Sequence, residues 1–102
     1  MEVKINTLTP DLFLELYKSV GWEPPCVEQV RIALENTFAT FTCYDGSCPV
    51  GMVRVIGDGG MSFYVKDFAV VPYHQGKGAG KCLMEALECY VNACKEIGIE
   101  GF

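Results

Sequence analysis

The chain has 102 residues, of which 50% are hydrophobic and 21% are charged, and its formal net charge at pH 7 is −5. This length suits one domain with a single modest core, and the composition is typical of a globular protein and not of a disordered one. The acidic balance argues against a nucleic-acid-binding protein, because such proteins need a basic face to displace counterions from phosphates.

The sequence carries no signal for a membrane or for secretion. No apolar run approaches the roughly 18 residues of a membrane span, and the first segment, MEVKINTLTP, lacks the basic start and apolar centre of a signal peptide. We therefore expect a soluble, cytoplasmic protein. Its six cysteines form no CxxC pair, so we expect reduced thiols that mostly pack as small hydrophobic side chains, and no metal site.

The first third of the chain predicts one strand and two helices. EVKINTL (residues 2–8) alternates as a strand does, and TPD (residues 9–11) is typical of a helix N-terminus with proline at the first helical position. Apolar residues then recur at helical spacing over residues 12–20, and Gly21 is placed to end that helix. A second, shorter helix is expected over residues 27–36.

The middle of the chain predicts three antiparallel strands joined by hairpins. The strand segments are FATFTCYD, PVGMVRVIG and MSFYVKDFAVV, and the turns are DGS (residues 45–47) and DGG (residues 58–60). The last strand stops alternating at FAVV, as a strand covered on both faces does. A helix of about five turns follows. Its apolar face is marked by Leu83, Ala86, Leu87, Tyr90, Val91, Cys94 and Ile97.

Between the last strand and this helix lies YHQGKGAGKC (residues 73–82), with three glycines and two lysines. A helix N-terminus exposes unpaired N–H groups and the positive end of the helix dipole, so glycines there let an anion, usually phosphate, lie directly on the backbone. A P-loop does not fit. It needs four residues between its first glycine and the Gly-Lys pair, followed by Ser or Thr, whereas three residues separate Gly76 from Gly80-Lys81 and Cys82 follows. A dinucleotide fingerprint does not fit either, because GxGxxG is replaced by GxGxG without a βαβ unit. The alternative is a turn that starts the helix and binds no ligand, but one glycine would be enough for such a turn, whereas this segment has three.

The spacing Gln75-x-x-Gly78-x-Gly80, with DGGMSFYVKDFAVVP before it and SVGW at residues 19–22, resembles the acyl-CoA motif and its surroundings in the GNAT superfamily of N-acetyltransferases. The order of the predicted elements agrees with that family from about Val3 to the end of the last helix. The resemblance implies one GNAT-like acyl-CoA-binding domain over residues 1–102, of α/β (α+β) class, that lacks the usual C-terminal strands and fourth helix.

The resemblance implies an N-acetyltransferase that transfers the acetyl group of acetyl-CoA to a primary amine of a small-molecule or peptide acceptor. The last strand would pair with the pantetheine arm, and a backbone N–H near Val70 or Val71 would polarise the thioester carbonyl. Main-chain N–H groups of the motif would hold the CoA pyrophosphate. The cofactor-binding residues implied in this way are Phe68, Ala69, Val70, Val71, Gln75, Gly76, Lys77, Gly78, Ala79, Gly80 and Lys81.

Acyl transfer to an amine also needs a base for the amine and an acid for the leaving thiolate. Asp67 is the best-placed carboxylate for the base, directly or through water, and the alternative is that it orders the neighbouring backbone. His74 is interpreted as a surface residue. Trp22 and Tyr64 either line the acceptor side or pack in the core.

In the resembled family a tyrosine beyond the third helix lies near the thiolate, and neither Tyr73 nor Tyr90 matches it. The terminal EGF resembles the start of a segment in relatives, so we expect a truncated sequence or, alternatively, a short form completed by a partner chain. An open edge on the last strand favours pairing with another molecule, so we expect self-association as a homodimer. The alternative function is a non-catalytic CoA-binding or interaction module.

Overall fold

The computed structural model describes residues 1–96, and its elements follow the predicted order. They are β1 (Glu2–Ile5), α1 (Pro10–Ser19), α2 (Val27–Glu35), β2 (Ala39–Asp45), β3 (Cys48–Gly57), β4 (Phe63–Val70), a 3₁₀ turn (Pro72–His74) and α3 (Ala79–Glu96). The predicted mixed α/β fold class is confirmed. The predicted apolar position Ile97 and the terminal EGF segment lie outside the described residues. No helix within residues 1–96 combines the length and the apolar character that crossing a membrane requires.

The ends of α1 follow from the chemistry of three residues. Thr9 precedes the helix, and its hydroxyl oxygen accepts a hydrogen bond from the Leu12 N–H at 3.2 Å. Pro10 occupies the first helical position, where its missing N–H costs nothing. Gly21 follows the helix at a φ of +82°, in the left-handed region that favours glycine. The predicted helix boundaries are confirmed here.

The four strands form one antiparallel sheet in the order β1-β2-β3-β4, so each strand pairs with its neighbour in the sequence. Among the described residues, β1 and β4 are therefore the edge strands. The sheet ends with β4, and the chain passes from there through the 3₁₀ turn into α3. This connectivity brings the open edge of β4 next to the N-terminus of α3.

Helices cover both faces of the sheet. The helix α3 packs on one face, and the buried residues of that cluster include Phe41, Val53, Val55, Leu83, Leu87 and Val91. The helices α1 and α2 pack on the other face, and the buried residues there are Phe13, Leu16, Val30, Met52 and Ala69. Neighbouring residues of β3 thus enter opposite layers, as the alternation of a strand requires.

Two strands are each three residues shorter than the sequence predicts. The strand β1 ends at Ile5 because Asn6 adopts a φ of +61° and exchanges hydrogen bonds with Thr40. The Asn6 N–H donates to the Thr40 carbonyl at 2.8 Å, and the Asn6 side-chain oxygen accepts from the Thr40 N–H at 3.0 Å. The strand β4 begins at Phe63 and not at residue 61, because the preceding N–H groups bond to the Asp58 carboxylate.

The prediction for the cysteines is confirmed only in part. All six are free, and Cys43 is fully buried in the α3 layer, where burial raises the pKa of its thiol. Cys82 and Cys94 pack against the same layer. The expectation that most cysteines pack as hydrophobic side chains is wrong for the other three, because they lie at a helix cap, at a hairpin turn and on the outer face of α3. These exposed residues are Cys26, Cys48 and Cys89.

Candidate functional site

The glycine-rich segment forms a loop that leads directly from β4 into α3. After the 3₁₀ turn, the backbone passes through Gly76 at a φ of +77° and Gly78 at a φ of +97°. Both values lie in the left-handed region, where glycine has no steric penalty. A Cβ atom at either position would meet no heavy atom of a non-neighbouring residue within 4 Å. The backbone conformation, and not crowding, therefore requires these two glycines.

This loop collects unpaired main-chain N–H groups at the start of α3. The Cys82 N–H donates to the Gly78 carbonyl at 3.0 Å, so Gly78 is the N-cap residue. The N–H groups of Gln75 and Lys77 close turns at 3.3 Å onto the preceding 3₁₀ segment. The other N–H groups of the predicted phosphate loop have no acceptor in the described part of the chain. They belong to Gly76, Gly78, Ala79, Gly80 and Lys81. The helix dipole adds to their attraction for an anion.

Each of the two lysines of the loop lies near another side chain. The Lys77 Nζ lies 4.1 Å from the centre of the Tyr73 ring, and the Lys81 Nζ lies 3.9 Å from an Oε1 of Glu85, one helical turn further on. No acidic residue occupies the first turn of α3. The main chain, and not an internal carboxylate or a converging lysine pair, therefore defines this anion-attracting surface.

The start of α3 packs against the end of β4. Ala79 is buried, and a Cβ atom at Gly80 would lie 3.5 Å from two carbon atoms of the Phe68 ring, which is ordinary van der Waals contact. The Gln75 side chain adds a further connection, because its Nε2 donates to the Val70 carbonyl at 3.0 Å. The loop is thus fixed to the strand on which the resemblance places the pantetheine arm.

Hydrogen bonding distinguishes the two N–H groups that the sequence left open for polarising the thioester carbonyl. The Val71 N–H donates to the Val50 carbonyl at 2.9 Å, so it faces β3 and is occupied. Consecutive residues of an antiparallel strand direct their backbone groups to opposite sides. The Val70 N–H therefore lies on the open edge, where the Val70 carbonyl also meets Gln75.

Asp67 lies at a distortion of β4, beside a cleft between the strand and the first two helices. Its Oδ2 accepts a hydrogen bond from the Arg54 Nε at 2.8 Å, and each side chain is only 10% exposed. The inner part of the cleft is a cavity of about 230 Å³, and the outer part has a volume of about 590 Å³. Tyr17 and Asp67 line both parts, and Trp22 lines the outer one.

The structure separates the remaining candidates. Trp22 lines the outer part of the cleft and meets Tyr17 edge to face, with ring centres 5.0 Å apart, whereas Tyr64 is 63% exposed and lines neither part of the cleft. The interpretation of His74 as a surface residue is confirmed only in part, because its side chain is 17% exposed and its Nε2 lies 3.2 Å from an Oδ2 of Asp45, whose side chain is exposed. The 3₁₀ turn folds this ring back onto the β2–β3 hairpin. The described residues contain no group of three or more His, Cys, Asp or Glu that could hold a metal ion.

Sequence reasoning missed Arg54, which pairs with Asp67. The signal was available, because Arg54 interrupts the apolar strand segment VRVIG. Arginine is almost never buried without a partner, so a buried strand arginine predicts an acidic or carbonyl partner nearby. The sequence alone contains no indication that this partner is Asp67.

Comparison with known proteins connects this geometry with one family. A family model described as an acetyltransferase (GNAT) domain matches residues 36–101. An uncharacterized N-acetyltransferase, ycf52-like, from Prochlorococcus marinus is 32% identical over 101 residues, which are 95% of this chain and 54% of the relative. The solved structure of SA2161 from meticillin-resistant Staphylococcus aureus, described as a protein of unknown function and probable acetyltransferase, is 34% identical. It superimposes with a TM-score of 0.79 over 91% of this chain and 71% of that one.

A further solved structure, aminoglycoside 6'-N-acetyltransferase complexed with coenzyme A, superimposes with a TM-score of 0.75 over 93% of this chain and 57% of that chain. At 16% identity this likeness concerns the fold alone. The chain spans about half the length of the curated relatives that it matches.

Proposed function

The chain belongs to the acetyltransferase (GNAT) family, and from this premise we propose that it is an N-acetyltransferase that transfers the acetyl group of acetyl-CoA to a primary amine. One observation carries the proposal. Unpaired main-chain N–H groups gather at the start of α3, directly beside the open edge of β4. A donor with a diphosphate at one end and an extended arm at the other suits this arrangement.

The diphosphate is assigned to the loop of residues 75–81. Hydrogen bonds to a charged group contribute roughly 1.5–3 kcal/mol each, and a contact with the helix dipole roughly 0.3–1 kcal/mol. Several such bonds outweigh the repulsion from a net charge of −5, because exposed charges more than about 8–10 Å away are largely screened. The open space above Gly76 and Gly78 leaves room for the phosphate oxygens.

The pantetheine arm is assigned to the edge of β4, along Phe68, Ala69, Val70 and Val71. This edge has no partner strand among the described residues, so its outward groups are available for hydrogen bonds. The complex of a fold neighbour with coenzyme A supports the choice of this ligand. No metal ion takes part in this proposal, because main-chain donors supply the hydrogen bonds.

The reaction joins the amine nitrogen to the acetyl carbonyl carbon. The nitrogen lone pair forms the C–N bond, the C–S bond breaks, and the thiolate leaves with the electron pair of that bond. The amine nitrogen loses one proton to the surrounding water, and the thiolate gains one. In this proposal the Val70 N–H would stabilise the oxyanion that develops at the carbonyl oxygen. The acceptor is assigned to the cleft that Tyr17 and Trp22 line, on the helix α1 side of Asp67.

The proposal is tested by thermal unfolding with acetyl-CoA and by release of free thiol over a panel of primary amines. A ligand present at 100 times its dissociation constant adds roughly 2.7 kcal/mol to the free energy of unfolding. For a domain of this size we expect an increase in melting temperature of several degrees. Absence of any increase would remove CoA from the proposal. An increase without thiol release with any amine would support the alternative, a CoA-binding module without turnover.

A further inference from the structure

The strand β4 contains one extra residue, at Asp67. Met52 of β3 pairs with Ala69, but Arg54 pairs with Lys66, so Asp67 and Phe68 together stand opposite Val53. Asp67 has a φ of +57°, in the left-handed region that residues other than glycine rarely adopt. This is a β-bulge, which bends a strand and changes the direction of the backbone groups that follow it.

The side chains next to the bulge confirm the change of direction. Successive residues of a regular strand point to opposite faces, yet Lys66 and Asp67 both line the inner cavity beside α2. After the bulge the alternation resumes, with Phe68 in the α3 layer and Ala69 in the α1 layer. The bulge therefore decides that Val70, and neither Ala69 nor Val71, presents its N–H to the open edge.

A chain of hydrogen bonds holds the bulge from the side of α2. The Arg54 Nε donates to Asp67, and the Arg54 Nη1 donates to the Thr37 hydroxyl oxygen at 3.2 Å. The Thr37 hydroxyl in turn donates to the Ala33 carbonyl, near the end of α2, at 2.7 Å. The Asp67 carboxylate is thus tied through β3 to a helix.

Two costs make this arrangement informative. A left-handed conformation at a residue other than glycine costs of order 1–3 kcal/mol and persists only where the surroundings enforce it. Both charged side chains are 10% exposed, and a buried charge needs its partner. An ion pair that only filled space would need neither the bulge nor the left-handed residue. The costs are explained if the bulge has a function.

We propose that Arg54 and Asp67 are positioning residues, which hold the β4 bulge so that the Val70 N–H points at the thioester carbonyl oxygen. This proposal rests on the acetyltransferase function proposed above. It assigns to Asp67 the ordering of the backbone and not the removal of the amine proton. Asp67 is suited to this role because aspartate, with asparagine, tolerates the left-handed region better than most residues.

Three substitutions at one position separate positioning from base catalysis. Asp67→Asn keeps an acceptor for Arg54 and tolerates the left-handed region, Asp67→Gly keeps only the conformation, and Asp67→Ala keeps neither. We expect kcat to fall in that order, least for asparagine and about a hundredfold for alanine, since loss of an oxyanion donor has an effect of that size. The KM for acetyl-CoA should change less than kcat, and the order should be the same at pH 7 and pH 9.

If Asp67 were the base, all three variants would lose activity equally, and the loss would shrink as the pH rises and the amine loses its own proton. That result would overturn the proposal. Arg54→Gln should behave like the alanine variant, whereas Arg31→Gln, at an exposed arginine of α2 that pairs with Glu28 and Glu35, should leave kcat unchanged. Equal losses in the two arginine variants would also contradict the proposal.

Amide hydrogen exchange of the ligand-free protein gives a readout that does not require turnover. In the wild type we expect the Val71 N–H to be protected and the Val70 N–H to exchange quickly, because only the former is bonded to β3. In Asp67→Ala and Arg54→Gln the pairing of β4 with β3 after the bulge should shift by one residue. The Val70 N–H should then become protected and the Val71 N–H should exchange quickly. An unchanged pattern would overturn the proposal. If the wild type acetylated no amine but its pattern shifted in the variants, the acetyltransferase function alone would fail.

Discussion

Two glycine-rich loops lie at the two ends of β4, and they differ in whether their backbone N–H groups have a hydrogen-bond acceptor within the chain. In the loop before the strand, the Asp58 carboxylate accepts hydrogen bonds from three consecutive N–H groups, at 2.8, 2.8 and 3.0 Å. The donors are Gly60, Met61 and Ser62. In the loop after the strand, residues 75–81, five N–H groups find no acceptor in the described part of the chain. Both loops contain glycines with positive φ, so glycine content alone does not distinguish them.

The filled loop shows what converging N–H groups do to an anion in this protein. The hydrogen bond from Gly60, followed by those from Met61 and Ser62, lowers the pKa of the Asp58 carboxyl, because each favours the charged form. The loop after β4 has a comparable set of donors, the end of a helix dipole and no carboxylate of its own. An anion site is therefore recognised by converging N–H donors that have no acceptor within the chain.

Gly78→Val should have the largest effect on the binding of acetyl-CoA by the loop after β4. The added side chain projects into the open space above the loop, where the phosphates are assigned, and each N–H withdrawn from a charged acceptor costs roughly 1.5–3 kcal/mol. We expect acetyl-CoA to bind at least about tenfold more weakly for each N–H lost, measured by calorimetry. Lys77→Ala should weaken binding less, because Lys77 already lies over the Tyr73 ring.

The φ of +97° at Gly78 means that valine also strains the backbone, so a control must separate strain from obstruction. Gly21→Val serves this purpose, because Gly21 has a φ of +82° and likewise no neighbour within 4 Å, but it lies at the end of α1. It should lower the melting temperature and leave the affinity for acetyl-CoA unchanged. If Lys77→Ala weakened binding more than Gly78→Val, the charge of the side chain would dominate and the comparison would be wrong.

Lys81→Glu should make the loop after β4 resemble the loop before it, because it supplies a carboxylate next to the N–H groups. Lys81 is the third residue of α3, and a glutamate there can reach back to the N–H of the N-cap residue, as in a capping box. Glutamine can make the same capping hydrogen bond without a charge, as Gln29 does at the start of α2, so the two variants differ in charge alone. Relative to Lys81→Gln we expect acetyl-CoA to bind about tenfold more weakly, because the carboxylate repels the phosphates, and the ligand-free protein to melt no lower, because attraction to the helix dipole offsets repulsion from Glu85. The glutamine variant is the control, since it also loses the contact with Glu85. Parallel changes in stability and affinity would contradict this view.

The sequence predicted the loop after β4 better than it predicted the bulge before it. The φ of +97° at Gly78 strongly favours glycine over other residues, so the sequence itself shows this feature of the loop in the spacing of Gln75, Gly78 and Gly80. The element order was visible for a similar reason, since strands and helices have different periods. The bulge has no such signature, because the segment after Asp67, FAVV, is apolar at every position, so one extra residue does not change its pattern. The ion pair with Arg54 and the folding of His74 onto Asp45 depend on contacts between elements, which a local pattern does not contain.

Asp58→Asn tests the loop before β4 through the pH dependence of stability, and its effect should be smaller than that of Gly78→Val or Lys81→Glu. The pKa of this carboxyl in the folded chain is lower than its ordinary value of 3.8, so its stabilisation is fully present well above 3.8 and is lost as the pH falls through the folded value. Asparagine can accept the same three hydrogen bonds but carries no charge at any pH. We therefore expect Asp58→Asn to melt below the wild type at pH 7, and the gap in melting temperature to close as the pH falls below 3.8. The affinity for acetyl-CoA at pH 7 should be unchanged, because the loop of residues 75–81 does not contain Asp58. A gap that stayed constant with pH would mean that these N–H groups do not discriminate in favour of charge, and the argument that the unfilled loop attracts a diphosphate would lose its support within this chain.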